Sequence, residues 1–349
     1  MKKILFTLCI ASICLLSCST ETNESTEYVK KIPVDINSAL QVRLNYLFQD
    51  SVEHIVLGAE AVIKDIDKIE IDKESIYILD EGLHNMLRFN RKGEFLNFCG
   101  TKGRGPGELF YPSDFTVDDS IVKVKDGSQK MKIFTKQGNF KKAKELPVNA
   151  LSFAFFEGKL YLYRGYNNDN ETSYRLFAYD EHNFKKYLEV SKNNVIPPVE
   201  MLSKNFNHLN NSLHLQEPLS NTVYKIEKEK VVPIYEIDFG QYNLPEEVLQ
   251  SEDQFQIFDI LNSGKYADIS SYLENDTYLL FQFYLKGKPY YFFQNKKSHK
   301  TFIAKNFKND LSYIPFGQPM ALTTKNELIV KTPPYLILER EKELRETHE

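Results

Sequence analysis

Three groups of residues in this chain carry side chains that could do chemistry. The run Gly103-Arg104-Gly105-Pro106-Gly107-Glu108 has the glycine density of a phosphate-cradling loop. Such a loop works through successive backbone amides and a Lys-Ser/Thr pair opening a helix. Neither follows here, and Pro106 removes an amide. The run therefore reads as a tight crossing between structural elements. Arg104, Glu108 and the adjoining Tyr111 are the candidate ligand-binding residues, because connecting loops are where rigid scaffolds bind.

The seven histidines, His54, His84, His182, His208, His214, His299 and His348, form no HExxH or paired-ligand spacing, so no metal site is expected from them. A mononuclear site of Asp and Glu from distant parts of the chain would leave no mark in spacing. No Gly-x-Ser-x-Gly elbow or Cys/His nucleophile pair is present, so no catalytic residue and no cofactor is expected. Tyr161, Tyr163, Tyr166, Tyr290 and Tyr291 could stack on sugar rings, but alternating tyrosines on strands read as packing, and the chain has no Trp. Cys99, beside Phe98, reads as a small buried apolar residue, and Lys141, Lys142 and Lys144 as a solvated strand end.

What positions these residues is an internal repeat. IEIDKESIYILDEGLHNMLRFNRKGEF at 69–95 and FTVDDSIVKVKDGSQKMKIFTKQGNF at 115–140 align Asp72 with Asp118, Asp80 with Asp126, Phe89 with Phe134, Gly93 with Gly138 and Phe95 with Phe140. The offset is 46 through the second Asp and 45 beyond it. A period of about 45 residues, with apolar residues alternating as in Ile76/Ile78 and Val122/Val124, marks a β-propeller blade. In that frame the aspartates end strands and cap turns, and the glycines supply tight hairpins.

Weaker copies follow at 151–187, 210–226 and 276–304, and residues 321–330 give part of a sixth. The expected fold is all-β, a six-bladed β-propeller over residues 31–338, its ring closed by the strand-like His54-Ile55-Val56-Leu57. Pro245-Glu246-Glu247 followed by Val248, Leu249, Phe255, Phe258 and Leu261 predicts a short helical insertion at about 245–262 over one face of the ring. Residues 339–349 are almost wholly charged and read as a frayed tail.

The first residues give an address. Lys2 and Lys3 precede the apolar run Ile4 to Leu16, which is too short to span a bilayer. Leu15-Leu16-Ser17-Cys18 resembles the bacterial lipobox, so residues 1–17 read as a lipoprotein signal peptide and Cys18 as the lipid attachment site. Residues 18–30, containing STETNESTE, read as a flexible tether. Losing Lys2 and Lys3 moves the formal charge from -4 to -6, which gives no general attraction for nucleic acid. Cys9 and Cys14 leave with the signal, so Cys99 has no disulfide partner within the chain.

The blade residues Ile76-Tyr77-Ile78-Leu79-Asp80 and Phe89-x-Arg91-x-Gly93-x-Phe95, with Gly103 to Glu108, are similar to NHL-repeat propellers. The chain resembles the six-bladed β-propeller lipoproteins of Bacteroidetes-type bacteria. Pro233-x-Tyr235-x-Ile237-Asp238-Phe239-Gly240 fits the same likeness. The resemblance implies the fold and attachment to the outer membrane, with the side it faces left open, and carries over no catalytic residues. The expectation is a lipid-anchored envelope propeller that binds or scaffolds a glycan, peptide or envelope protein, with the membrane as a partner through Cys18. The alternative is a propeller enzyme of lactonase, lyase or hydrolase type with a metal in its central channel.

Overall fold

The computed structural model describes residues 29–47, 52–165, 174–180, 183–190, 205–245, 248 and 254–346. Alternating apolar residues build the strands, and four consecutive strands pair antiparallel in each blade. Blade one is β3 (Lys68–Ile71), β4 (Ser75–Asp80), β5 (Asn85–Asn90) and β6 (Phe95–Phe98). Blade two is β7 (Pro112–Val117), β8 (Ile121–Asp126), β9 (Lys130–Thr135) and β10 (Phe140–Glu145). Blade three is β11 (Ser152–Phe156), β12 (Lys159–Tyr163), β13 (Tyr174–Tyr179) and β14 (Phe184–Glu189). Blade four is β15 (Phe206–Leu209), β16 (Ser212–Gln216), β17 (Thr222–Glu227) and β18 (Lys230–Asp238), and blade five is β19 (Asp268–Glu274), β20 (Tyr278–Leu285), β21 (Lys288–Asn295) and β22 (Thr301–Lys308).

The chain is an all-β propeller with five blades, not the six expected. Where a sixth would stand, the described residues form a two-stranded sheet, β23 (Gln318–Leu322) and β24 (Leu328–Lys331), with β23 lying between β19 and β3. The segment 54–57 does not complete it. Ile55 and Leu57 instead pack by their side chains against blade one, and Gly58 N bonds Gly93 O. The N-terminal strands go elsewhere. β1 (Lys30–Pro33) adds parallel to β18, and β2 (Leu40–Arg43) adds parallel to β22, as fifth strands. Their inward residues Ile32 and Val42 are buried on those blades, which is why the short strands dock there.

The core is divided into wedges between neighbouring sheets. Tyr77, Leu79, Phe115, Val124 and Phe134 pack blade one on blade two, and Tyr161, Leu176, Leu213 and Ile226 pack blade three on blade four. Gly93 and Gly138 share φ +87°, and a Cβ would meet Val56 O at 2.2 Å and Phe98 O at 2.0 Å, so the aligned hairpins need glycine twice over.

Among the described residues two α-helices of more than one turn stand outside the sheets. α1 (Gln254–Asn262) falls in the expected insertion between β18 and β19, but Phe255, expected on its apolar stripe, is exposed. α2 (Pro334–Glu346) takes most of the tail expected to fray. Among the described residues no helix is long and apolar enough to cross a membrane. Cys18, the signal segment and most of the tether lie outside the described residues.

Candidate functional site

In an antiparallel four-stranded blade, the loops after the second and fourth strands open on one end of the ring, and the tight hairpins on the other. Residues 99–111, after β6, and 81–84, after β4, therefore share the loop end with the connection carrying α1. The repeat aspartates hold those loops. Asp80 accepts from Lys64 N at 2.6 Å and Leu83 N at 2.9 Å, and Asp126 accepts from Phe110 N at 2.7 Å and Tyr111 N at 2.8 Å. Both thus fix the chain just before an inner strand, β3 or β7. Asp72 and Asp118 cap hairpin turns at the opposite end, accepting from Ser75 N at 2.7 Å and Ile121 N at 3.0 Å.

The loop after blade one closes on itself. Gly103 N bonds Leu109 O, Leu109 N bonds Thr101 O, and Met86 N bonds Gly100 O. Lys132, paired to Asp126 at 2.9 Å, donates to Gly105 O at 3.4 Å and to Glu108 O. Of the residues singled out in sequence, Glu108 folds back, its Oε2 accepting from Gly105 N at 2.7 Å. Arg104 lies with Cζ 4.5 Å from the Phe110 ring centroid. Tyr111, 59% exposed, stands at 66° to Phe110 with centroids 4.2 Å apart, and its ring centroid lies 5.4 Å from that of His84. The fold thus brings Arg104 and Tyr111 together around Phe110, and uses Glu108 to hold the loop that carries them. Phe110 and His84 were missed by sequence reasoning, although Phe110 adjoins Tyr111 in the chain.

The axis of the ring is also polar, but its groups bond one another. Lys68 Nζ on blade one donates to Asp114 Oδ1 at 2.5 Å and Phe115 O at 2.6 Å on blade two, and Asp114 Oδ2 accepts from Phe153 N of blade three at 2.8 Å. Ser152 meets Asn205 Oδ1 at 2.9 Å, beside blade four, and Asn207 bonds Tyr272 O at 3.2 Å and Glu274 N at 3.1 Å in blade five. Asn275 Nδ2 donates to Thr323 O at 2.8 Å, reaching the two-stranded sheet, and Lys331 Nζ donates back to Ile66 O at 3.1 Å. Burial opposes charge on Lys68, but Asp114 and Glu70 outweigh it and raise its pKa.

A second buried cluster joins blades four and five. His214 Nδ1 lies 2.6 Å from Glu274 Oε2, Ser212 Oγ lies 3.1 Å from His214 Nε2, and Glu274 also accepts from Tyr272 OH at 2.6 Å, Lys296 Nζ at 2.8 Å and Tyr235 OH at 3.2 Å. Burial would raise the Glu274 carboxyl, but His214 and Lys296 hold it below its ordinary value. The Ser-His-Glu distances suit a nucleophile relay. Ser212, His214 and Glu274 are all buried, however, with Ser212 the most open at 8%, and four elements converge on Glu274. The arrangement acts as an inter-blade lock. Period-two spacing of Ser212 and His214 was visible in sequence, but Glu274 lies 60 residues beyond His214 and is found only through blade register.

Other candidates resolve into packing. Cys99 is fully buried, and burial pushes its thiol up to about 11. Tyr161 and Tyr163 are buried, Tyr290 and Tyr291 are half-buried, and Tyr166, His182 and His348 lie outside the described residues. Among the described residues no three His, Cys, Asp or Glu side chains are grouped to hold a metal ion.

Residues 33–349 match a family described as a domain of unknown function, DUF4934. No curated protein matches the sequence. A Bacteroides fragilis protein assigned as exported is similar in structure, with TM-score 0.67 and 19% identity over 79% of this chain and 80% of that one, a likeness of fold. A member of the DUF4221 family from Bacteroides vulgatus superposes with TM-score 0.49 and 10% identity over 81% of this chain and 91% of its own. BamB from Moraxella catarrhalis superposes with TM-score 0.41 and 12% identity over 72% of this chain and 69% of its own.

Proposed function

The chain belongs to the DUF4934 family, and from that premise we propose that it is an envelope binding or scaffolding propeller. It presents the loop end of the ring to a glycan, peptide or envelope protein. The observation that carries this reading is the corner formed by Arg104, Phe110 and Tyr111. It is exposed on a loop whose own backbone groups are bonded internally and anchored to Asp126 and Lys132. A rigid loop bearing exposed aromatic rings loses little entropy on binding. The axial polar groups, in contrast, are occupied with one another.

Export and anchoring complete the proposal. The Leu15-Leu16-Ser17-Cys18 run supports acylation at Cys18 and attachment to the outer membrane. The first described strand, β1, lies on the outer edge of blade four, parallel to β18. The paired aspartates and hairpin glycines of blades one and two support the likeness to NHL repeats within this reading.

The test is affinity capture from detergent-solubilised envelopes of the source cells, followed by identification of bound protein and carbohydrate. Wild-type protein is expected to retain a partner that the Arg104→Gln/Tyr111→Ala double variant does not. Equal retention by both would move the binding surface elsewhere.

A further inference from the structure

The chemistry of the corner narrows what it takes. Arg104 has an aromatic face beneath its guanidinium and no salt bridge among the described residues, so its hydrogen-bonding fork is preorganised and unspent. Lys102 beside it is exposed and likewise unpaired. Lys132 is matched by Asp126 at 2.9 Å, and Glu108 is taken up by Gly105 N, so neither spends the Arg104 guanidinium. A planar guanidinium of this kind selects a carboxylate or phosphate that it can grip with two parallel hydrogen bonds.

The aromatic geometry adds a second requirement. Phe110 and Tyr111 are in edge contact at 66°, and Tyr111 is 59% exposed, so its open ring surface offers a platform for a compact ring beside Phe110. The Tyr111 hydroxyl has no partner among the described residues, and His84 Nδ1 lies buried and unbonded under the same ring. An extended peptide is a poorer fit. Strand addition needs free main-chain donors and acceptors, and those of Gly103 N, Leu109 N and Leu109 O are bonded within the loop.

We infer that the corner of Arg104, Phe110 and Tyr111 binds a carboxylated sugar, a uronic-acid unit of an acidic glycan. The carboxylate meets Arg104 and the pyranose face lies on Tyr111. This inference rests on the binding-module reading and gives it a ligand class.

The experiment is affinity electrophoresis and calorimetry of the full chain in detergent. The probes are polygalacturonate, neutral dextran and polyglutamate, and thermal melts check that each variant is folded. Polygalacturonate should retard the wild type, and dextran and polyglutamate should not. Arg104→Gln and Tyr111→Ala should each weaken polygalacturonate binding by about tenfold or more, Arg104→Lys should weaken it less, and the interaction should fade with salt. No retardation by polygalacturonate, equal retardation of the wild type and Arg104→Gln, or equal binding of polyglutamate would overturn the uronate assignment. If polygalacturonate fails while envelope capture still depends on Arg104 and Tyr111, the binding corner stands and only its ligand class falls.

Discussion

His214 on blade four and Glu274 on blade five meet through an Nδ1 to Oε2 hydrogen bond of 2.6 Å, with both side chains buried. An ionised carboxylate only accepts, so the hydrogen of this bond sits on Nδ1. The pair, with Lys296 at 2.8 Å from Glu274 Oε1, fastens β16, the second strand of blade four, to β19, the inner strand of blade five, which no backbone ladder joins.

Removing the carboxylate should therefore cost far more than a surface charge would. Glu274→Ala strands His214, Tyr272 and Lys296 and is expected to destabilise the fold by about 3–5 kcal/mol in denaturant unfolding. Double-mutant cycles with His214→Ala should show coupling of about 0.5–3 kcal/mol.

The same carboxylate sets an acid dependence. Its folded pKa lies below the ordinary 4.5, so its contribution is full above 4.5 and disappears as pH falls through the depressed folded value. Unfolding free energies measured from pH 7 down to pH 3 should fall less steeply in Glu274→Gln than in the wild type. Parallel curves would mean that the folded and unfolded pKa values are alike.

Asp126 carries the loop that carries the corner. Asp126→Ala removes the acceptor for Phe110 N and Tyr111 N and takes away the ion-pair partner of Lys132. Amide hydrogen exchange at Phe110 and Tyr111 should quicken by about tenfold, because each part-buried bond to a charged acceptor contributes about 1.5–3 kcal/mol. Asp80→Ala should do the same to Lys64 N, its counterpart in the preceding repeat.

Cys99 should behave as core. Buried and with its thiol pushed up to about 11, it stays protonated at pH 8 and should resist alkylation until the protein unfolds. Rapid native-state labelling would show that the wedge between blades one and two opens readily.

Cys18→Ala should release the protein from membranes into the soluble fraction, with loss of metabolic palmitate labelling. Unchanged membrane association would reject the anchor.

The two strong repeats made the blade legible, since Asp80/Asp126 and Gly93/Gly138 take the same roles at the same places. Blade number was not legible. β23 and β24 look in sequence like the start of any blade, and nothing local shows that no third strand pairs with β24. The closing strand was not legible either, because His54 to Leu57 and the strands β1 and β2 are all four residues long, and local pattern does not show which of them pairs with a blade. Arg104 and Tyr111 were found from loop chemistry. Phe110 and His84 emerged only once Asp126 had fixed the loop beside the turn after β4, because that pairing is made in space and not in sequence.

The most direct test compares the two ends of the ring. Envelope capture should be measured for Arg104→Gln/Tyr111→Ala on the loop end and for Lys73→Ala/Asp119→Ala, exposed residues on the hairpin end. The loop-end variant should lose its partner and the hairpin-end variant should keep it. Loss confined to the hairpin-end variant, or equal retention by both, would contradict this.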